Sequence, residues 1–193
     1  MVLNPLERSP DARNYYHSSS PPSPTTPCHE RHDFMGTWFV VGVKPTLLET
    51  TCSNAVEIYT RRRRRQKKND KKQQQQHDID IDFRYNKRAT PESPLQSLPQ
   101  KGWIQGDDAE DSALWTVSPI WPIKMPYLIL EADENCQEYA VIGYPSRQYC
   151  WILSRRPSLP DATYQSITER LTTQHHYDLT GLRKVPHLSL IHI

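Results

Sequence analysis

Three groups of residues in this sequence combine reactive or charged side chains with suggestive spacing. The first is a set of four cysteines, Cys28, Cys52, Cys136 and Cys150. Paired, they would form two disulfides; unpaired, Cys52 or Cys150 could serve as a nucleophile if a neighbouring base drew off the proton. No base stands beside either in the sequence, and the first 33 residues hold no apolar stretch of the kind that directs export. Reduced, inert thiols in a cytoplasmic setting are therefore expected. The second group is His175-His176 with His187 and His192. That spacing matches no metal-ligand pattern, so surface histidines are expected, and neither a metal nor any other cofactor is implied.

The third group is the run from Arg61 to Lys72, nine basic residues against one acid, a local +8 that leaves the rest of the chain at about −6 of a net +2. Such a run has the composition of a nuclear-import or polyanion-binding patch, and it would also be drawn to an anionic membrane surface. No aromatic residue interleaves the arginines, so base stacking is unsupported and nucleic acid is not an expected partner. A solvated loop with no partner is the competing reading of the same run.

The elements that must position these groups are short and extended. One domain with tails is the expectation for 193 residues, and a mean hydropathy of −0.78 with 17 prolines places part of the chain outside any packed core. Residues 1–33, centred on Ser18-Ser19-Ser20-Pro21-Pro22-Ser23-Pro24, read as a disordered leader, with a degenerate transit peptide as the alternative. Residues 34–186 read as the folded domain, 61–77 as a disordered basic and glutamine-rich insert within it, and 187–193 as a tail. No run of about 18 apolar residues occurs, so no membrane-spanning helix is expected.

Within the domain, Asp78 to Tyr85 alternates strictly between polar and apolar residues, the pattern of a strand with one wet and one buried face. Thr37 to Val43, Ala55 to Thr60, Gly102 to Gly106, Ser112 to Val117, Tyr127 to Ala132, Glu138 to Gly143 and Gln148 to Ser154 also read as strands. Trp121 to Lys124 reads as a short proline-interrupted piece, and Ala89 to Gln100 as a proline-rich connector. One helix is expected after Leu159-Pro160, with Asp161 as its N-cap and Tyr164, Ile167 and Leu171 on one stripe; Leu182 to Val185 is extended again. Short antiparallel strands followed by one helix predict an all-β fold, an eight-stranded up-and-down barrel with the helix packed outside.

Three local patterns make this resemble the lipocalin family, within it the bacterial, plant and apolipoprotein-D-like branch. Gly36-Thr37-Trp38 is similar to the family's Gly-x-Trp on the first strand, and Trp151-Ile152-Leu153-Ser154-Arg155 to the motif that ends the last barrel strand. Ala132-Asp133 with Tyr139 is similar to the second motif, with Ala132 in place of the usual Thr and a stretched spacing. The expected roles of Gly36, Trp38, Asp133 and Arg155 are structural: the Trp38 indole fills the narrow end of the barrel and the Arg155 guanidinium lies across its face.

The resemblance implies a cup for a small hydrophobic molecule, such as a fatty acid, lysophospholipid, sterol or carotenoid, carried or sequestered without chemistry. Trp151 is the foremost residue expected to line it, with Leu153, Tyr139, Tyr127 and Trp121 behind; each of these aromatics would equally serve as core packing. An enzyme of the same fold acting on an isoprenoid or oxidised lipid is the alternative, as is a polyanion- or membrane-binding module working through the basic insert.

Overall fold

The computed structural model describes residues 34–46, 49–62, 77–90, 93–105 and 113–188. The expected leader, most of the basic insert and the end of the tail lie outside the described residues.

Among the described residues nine strands and one long α-helix follow in chain order, with a 3-10 turn at Glu134–Cys136 between the sixth and seventh strands: β1 (Gly36–Lys44), β2 (Ser53–Arg61), β3 (Ile79–Asn86), β4 (Leu95–Ile104), β5 (Leu114–Ser118), β6 (Met125–Ala132), β7 (Tyr139–Gly143), β8 (Cys150–Ser154), the helix α1 (Asp161–Thr173) and β9 (Arg183–Lys184). The sheet runs β2-β3-β4-β5-β6-β7-β8-β1, and β1 pairs again with β2, so eight antiparallel strands close into a barrel with no free edge. The two-residue β9 adds to the outside of β1.

The period-two pattern decides what the barrel encloses. In β3, Ile79, Ile81 and Phe83 are buried while Asp80 and Arg84 are exposed, as the strict alternation predicts. In β2 the same phase turns Ala55, Glu57 and Tyr59 inward. Three expectations change. Ala89 to Gln100 is not a connector throughout, because Leu95 to Gln100 belongs to β4; Pro99 is accommodated on its outward face, and the strand reads faintly because exposed and half-buried residues alternate along it. Trp121 to Lys124 is the turn between β5 and β6, with a cis Trp121-Pro122 bond, rather than a strand. Pro160, not Asp161, holds the N-cap position of α1; Asp161 is the first helical residue, where the helix dipole favours a carboxylate, and it accepts from Lys184 Nζ at 2.8 Å.

One end of the barrel is packed shut. Trp38 is fully buried, its Nε1 donates to the Phe34 carbonyl at 2.8 Å, and Phe34, Tyr59 and Trp115 surround it at ring-centroid separations of 5.1–6.2 Å among themselves. Arg155 Cζ stands 3.7 Å from the Trp38 ring centroid, while Nε donates to the Cys136 carbonyl and Nη1 to that of Thr37. Gly36 serves this floor through conformation more than space: its φ is +95°, whereas an added Cβ would meet Arg155 Nη1 at an ordinary 3.5 Å. Asp133 fixes the neighbouring corner, its carboxylate accepting from the backbone amides of Gln137, Glu138 and Tyr139.

The helix covers a second, outer core. Ile167 and Leu171 pack with Val41, Leu130, Val141 and Ile152 on the outward face of the sheet, and Gly42 lets the helix close in, since a Cβ there would lie 2.7 Å from the Tyr164 hydroxyl. An ion pair with its acid buried and its base half-buried pins the same helix: Arg170 Nε and Nη2 donate to the two carboxylate oxygens of Glu131 at 2.8 and 3.0 Å. Arg170→Ala would strand the Glu131 charge beneath the helix and is expected to lower unfolding free energy by about 3 kcal/mol. Chemical denaturation at pH 7 measures this, and adding Glu131→Met should restore most of the loss; no rescue would mean that the arginine acts through packing alone.

His175 corrects the expectation of surface histidines. It is 1% exposed at the end of α1, and neither ring nitrogen has a hydrogen-bond partner among the described residues. The chain after α1 folds back over the barrel, which buries the ring and pushes its pKa down. His176 is exposed, His187 is half-buried with a ring nitrogen 2.9 Å from the Val40 carbonyl, and His192 lies outside the described residues. Among the described residues no helix is long and apolar enough to cross a membrane.

Candidate functional site

Strand pairing sets the polarity of the barrel. Gly36 of β1 pairs with Tyr59, and Phe39 with Ser154, at the packed floor; Lys44 pairs with Cys150 at the opposite end. At that opposite end the described residues enclose a cavity of about 280 Å³. This is near the lower end of the range for small-molecule pockets, so it suits one compact group or a single chain.

The base of the cavity is a hydrogen-bonded array laid over the aromatic floor. Tyr59 donates to Glu57 Oε2, and the hydroxyls of Tyr59 and Tyr127 are hydrogen-bonded to each other. Trp115 stacks under Tyr127 at 5.7 Å with 13° between the ring planes. Glu57 is 8% exposed, and burial pushes its carboxyl pKa up to about 7, against the Tyr59 hydrogen bond that holds it down; the charge of Glu49 adds a smaller upward push. Burial likewise raises both tyrosine hydroxyls well above their usual range. Phe83, Leu98, Val117 and Met125 supply the apolar wall, and Gln100 an amide.

The mouth is organised by Glu49 in the β1–β2 loop. Its Oε2 accepts from Thr46 N and Oγ1 at 3.2 and 2.8 Å, and its Oε1 accepts from Trp151 Nε1 at 2.8 Å. The Trp151 ring is thereby fixed over the cavity, with Tyr149 beside it at 6.5 Å between centroids.

The structure brings two of the five expected ligand-lining residues, Trp151 and Tyr127, to this cavity. Leu153 shares the inward face of β8 with Trp151 but lies deeper, fully buried in the floor. Tyr139 lies on the outward phase of β7, because Ala140 and Ile142 take the inward positions; its hydroxyl accepts from Arg170 Nη2 at 3.1 Å beneath the helix. Trp121 is 62% exposed on the β5–β6 turn, with Lys124 Nζ 5.7 Å from its ring centroid. Glu49 and Glu57 are the residues that sequence reasoning missed. Glu57 had a signal, an acid in phase with Ala55 and Tyr59 on one strand; Glu49, in a loop, had none.

The cysteines divide. Cys136 is disulfide-bonded, which corrects the expectation of a reduced thiol there. Cys52 and Cys150 are free, buried and absent from the cavity lining. Burial raises both thiols, Cys150 to about 11, so neither is a ready thiolate near neutral pH.

Comparison with known proteins agrees with this architecture. A family model described as a lipocalin-like domain matches residues 30–187. Temperature-induced lipocalin-1 of Arabidopsis thaliana is 31% identical over 124 residues, covering 55% of this chain and 66% of that protein. Among solved structures, lobster apocrustacyanin A1 superposes with a TM-score of 0.57 at 16% identity, covering 82% of this chain and 80% of that one. Insecticyanin from the tobacco hornworm Manduca sexta gives 0.55 at 16%, with the same coverages.

Proposed function

Because this chain belongs to the lipocalin family, we propose that it binds a small, largely apolar molecule in the open end of its barrel and carries or sequesters it without chemical change. The observation that carries this reading is the cavity itself: a walled space of about 280 Å³ above a sealed floor, its rim ring held in place by Glu49. A barrel of eight strands can be filled by its own side chains. Here the filling stops at the Tyr59–Tyr127 layer, and apolar wall above it favours any ligand that removes apolar surface from water, at about 25 cal/mol per Å². The enzyme alternative through a cysteine draws no support from the cavity, since both free thiols lie elsewhere. For the basic run, only Arg61 and Arg62 fall within the described residues, and a role at an anionic surface stays a separate proposal.

Titration with Nile red, a neutral apolar fluorophore, tests the reading through quenching of tryptophan emission. Saturable quenching at one site per chain is expected, and Trp151→Ala should weaken it about tenfold, the loss of roughly 1.4 kcal/mol of contact. No saturable change in the native protein would overturn the proposal.

A further inference from the structure

The polar groups facing the cavity are chosen with a bias that the apolar wall does not explain. Among the twelve described residues that line it, two are glutamates and none is Lys, Arg or His. Arg183, packed behind the β1–β2 loop, donates through Nη2 to the carbonyl oxygens of Glu49 and Cys52, not to a carboxylate. The two acids are not equally occupied. Glu49 accepts three hydrogen bonds, from Thr46 N, Thr46 Oγ1 and Trp151 Nε1. Glu57, more than nine-tenths buried, accepts one, from Tyr59 on Oε2, and no described residue donates to its Oε1. Glu57 Oε1 is not shut away from all space like the unpartnered ring nitrogens of His175; it opens on the cavity, where a ligand donor can reach it.

Resting on the reading of this cavity as a ligand cup, we propose that the molecule it takes carries an amine, bound as an ammonium group that donates to Glu57 within the field of Glu49 while its apolar remainder lies against the aromatic and aliphatic wall. An ammonium supplies both what the open oxygen lacks, a donor, and what the lining lacks, a positive charge. The rings of Trp151, Tyr149 and Tyr127 add faces on which a cation is attracted. A carboxylate head meets the opposite situation: it would enter a low-dielectric space beside two acids with no cation to receive it, so a fatty-acid anion is the disfavoured occupant. A neutral alcohol satisfies the open acceptor and leaves the charge uncompensated, and falls between.

Decylamine, 1-decanol and decanoate share one tail, so their relative affinities report the head group alone. Binding to the full chain at pH 8, measured by displacement of Nile red, is expected to rank the amine at least tenfold tighter than the alcohol, with decanoate weakest. In Glu57→Gln the amine-to-alcohol ratio should fall at least fivefold, and a cooperative unfolding transition checks that the variant is folded. Equal binding of all three, or tighter binding of decanoate, would overturn the amine assignment and leave the apolar cup standing. An amine preference that survives Glu57→Gln unchanged would overturn the docking site. Displacement of Nile red by none of the three would overturn this inference alone, whereas failure of Nile red itself to bind saturably would remove both the inference and the function on which it rests.

Discussion

Trp38→Ala is expected to cost about 4 kcal/mol of unfolding free energy, the upper range for deleting a buried aromatic ring. The indole is fully buried beside Phe34, Tyr59 and Trp115, so its removal opens a void that three large rings cannot collapse to fill. Two further losses coincide: the Nε1 hydrogen bond to the Phe34 carbonyl, and the face on which the Arg155 guanidinium lies at 3.7 Å. The stacked cation is itself worth about 1–2 kcal/mol when partly desolvated. Against a typical domain stability of roughly 5–15 kcal/mol, the variant should unfold at much lower urea concentration and show a raised unfolded fraction at 37 °C. Trp38→Phe should lose less, because a six-membered ring still fills most of the space. A loss below about 1 kcal/mol for the alanine variant would contradict the plug and imply that the floor repacks, which the close packing of interiors makes costly.

What could be read from the sequence divides along physical lines. The barrel was legible because its signals are local: the strict alternation of Asp78 to Tyr85 states which face of β3 is buried, and Trp38 near the start of the first strand and Arg155 just past the end of the last barrel strand meet at the floor. Trp151 and Tyr127 were legible for the same reason, being large rings on the inward phase of strands with clear periodicity. Tyr139 was not, since Tyr139 to Ile142 is apolar or aromatic on both phases, and only the pairing of Ala140 with Leu153 and Ile142 with Trp151 on β8 decides which phase faces inward. Leu153 has the right phase and the wrong depth, and depth is a property of the closed barrel. Trp121 and Leu95 to Gln100 failed through proline, which marks turns and strands alike when its missing donor faces outward. The buried His175 and the acids of the cup depend on contacts between residues far apart in the chain, Glu49 with Trp151 being 102 positions apart.

The acid at the base of the cup sets the second large effect, a pH dependence with a defined sign. The Glu57 carboxyl ionises near its ordinary 4.5 in the unfolded chain and at about 7 in the barrel, so the folded state holds the proton more tightly. Below about pH 4.5 both states are protonated and the group does not distinguish them. Between there and about pH 7 the unfolded chain gives up the proton and the barrel keeps it, so stability falls by up to roughly 1.4 kcal/mol per pH unit, about 3 kcal/mol in all, and levels off above. Glu57→Gln keeps an acceptor for Tyr59 and removes the charge. The variant is therefore expected to match the native protein at pH 4.5 and to exceed it by about 3 kcal/mol at pH 8 in paired urea titrations. A difference that is the same at both pH values would show that the carboxyl ionises in the barrel as it does in the unfolded chain, with no upward shift. An ammonium beside Oε1 would draw the carboxyl back toward its ordinary range and remove the cost that the empty cup bears.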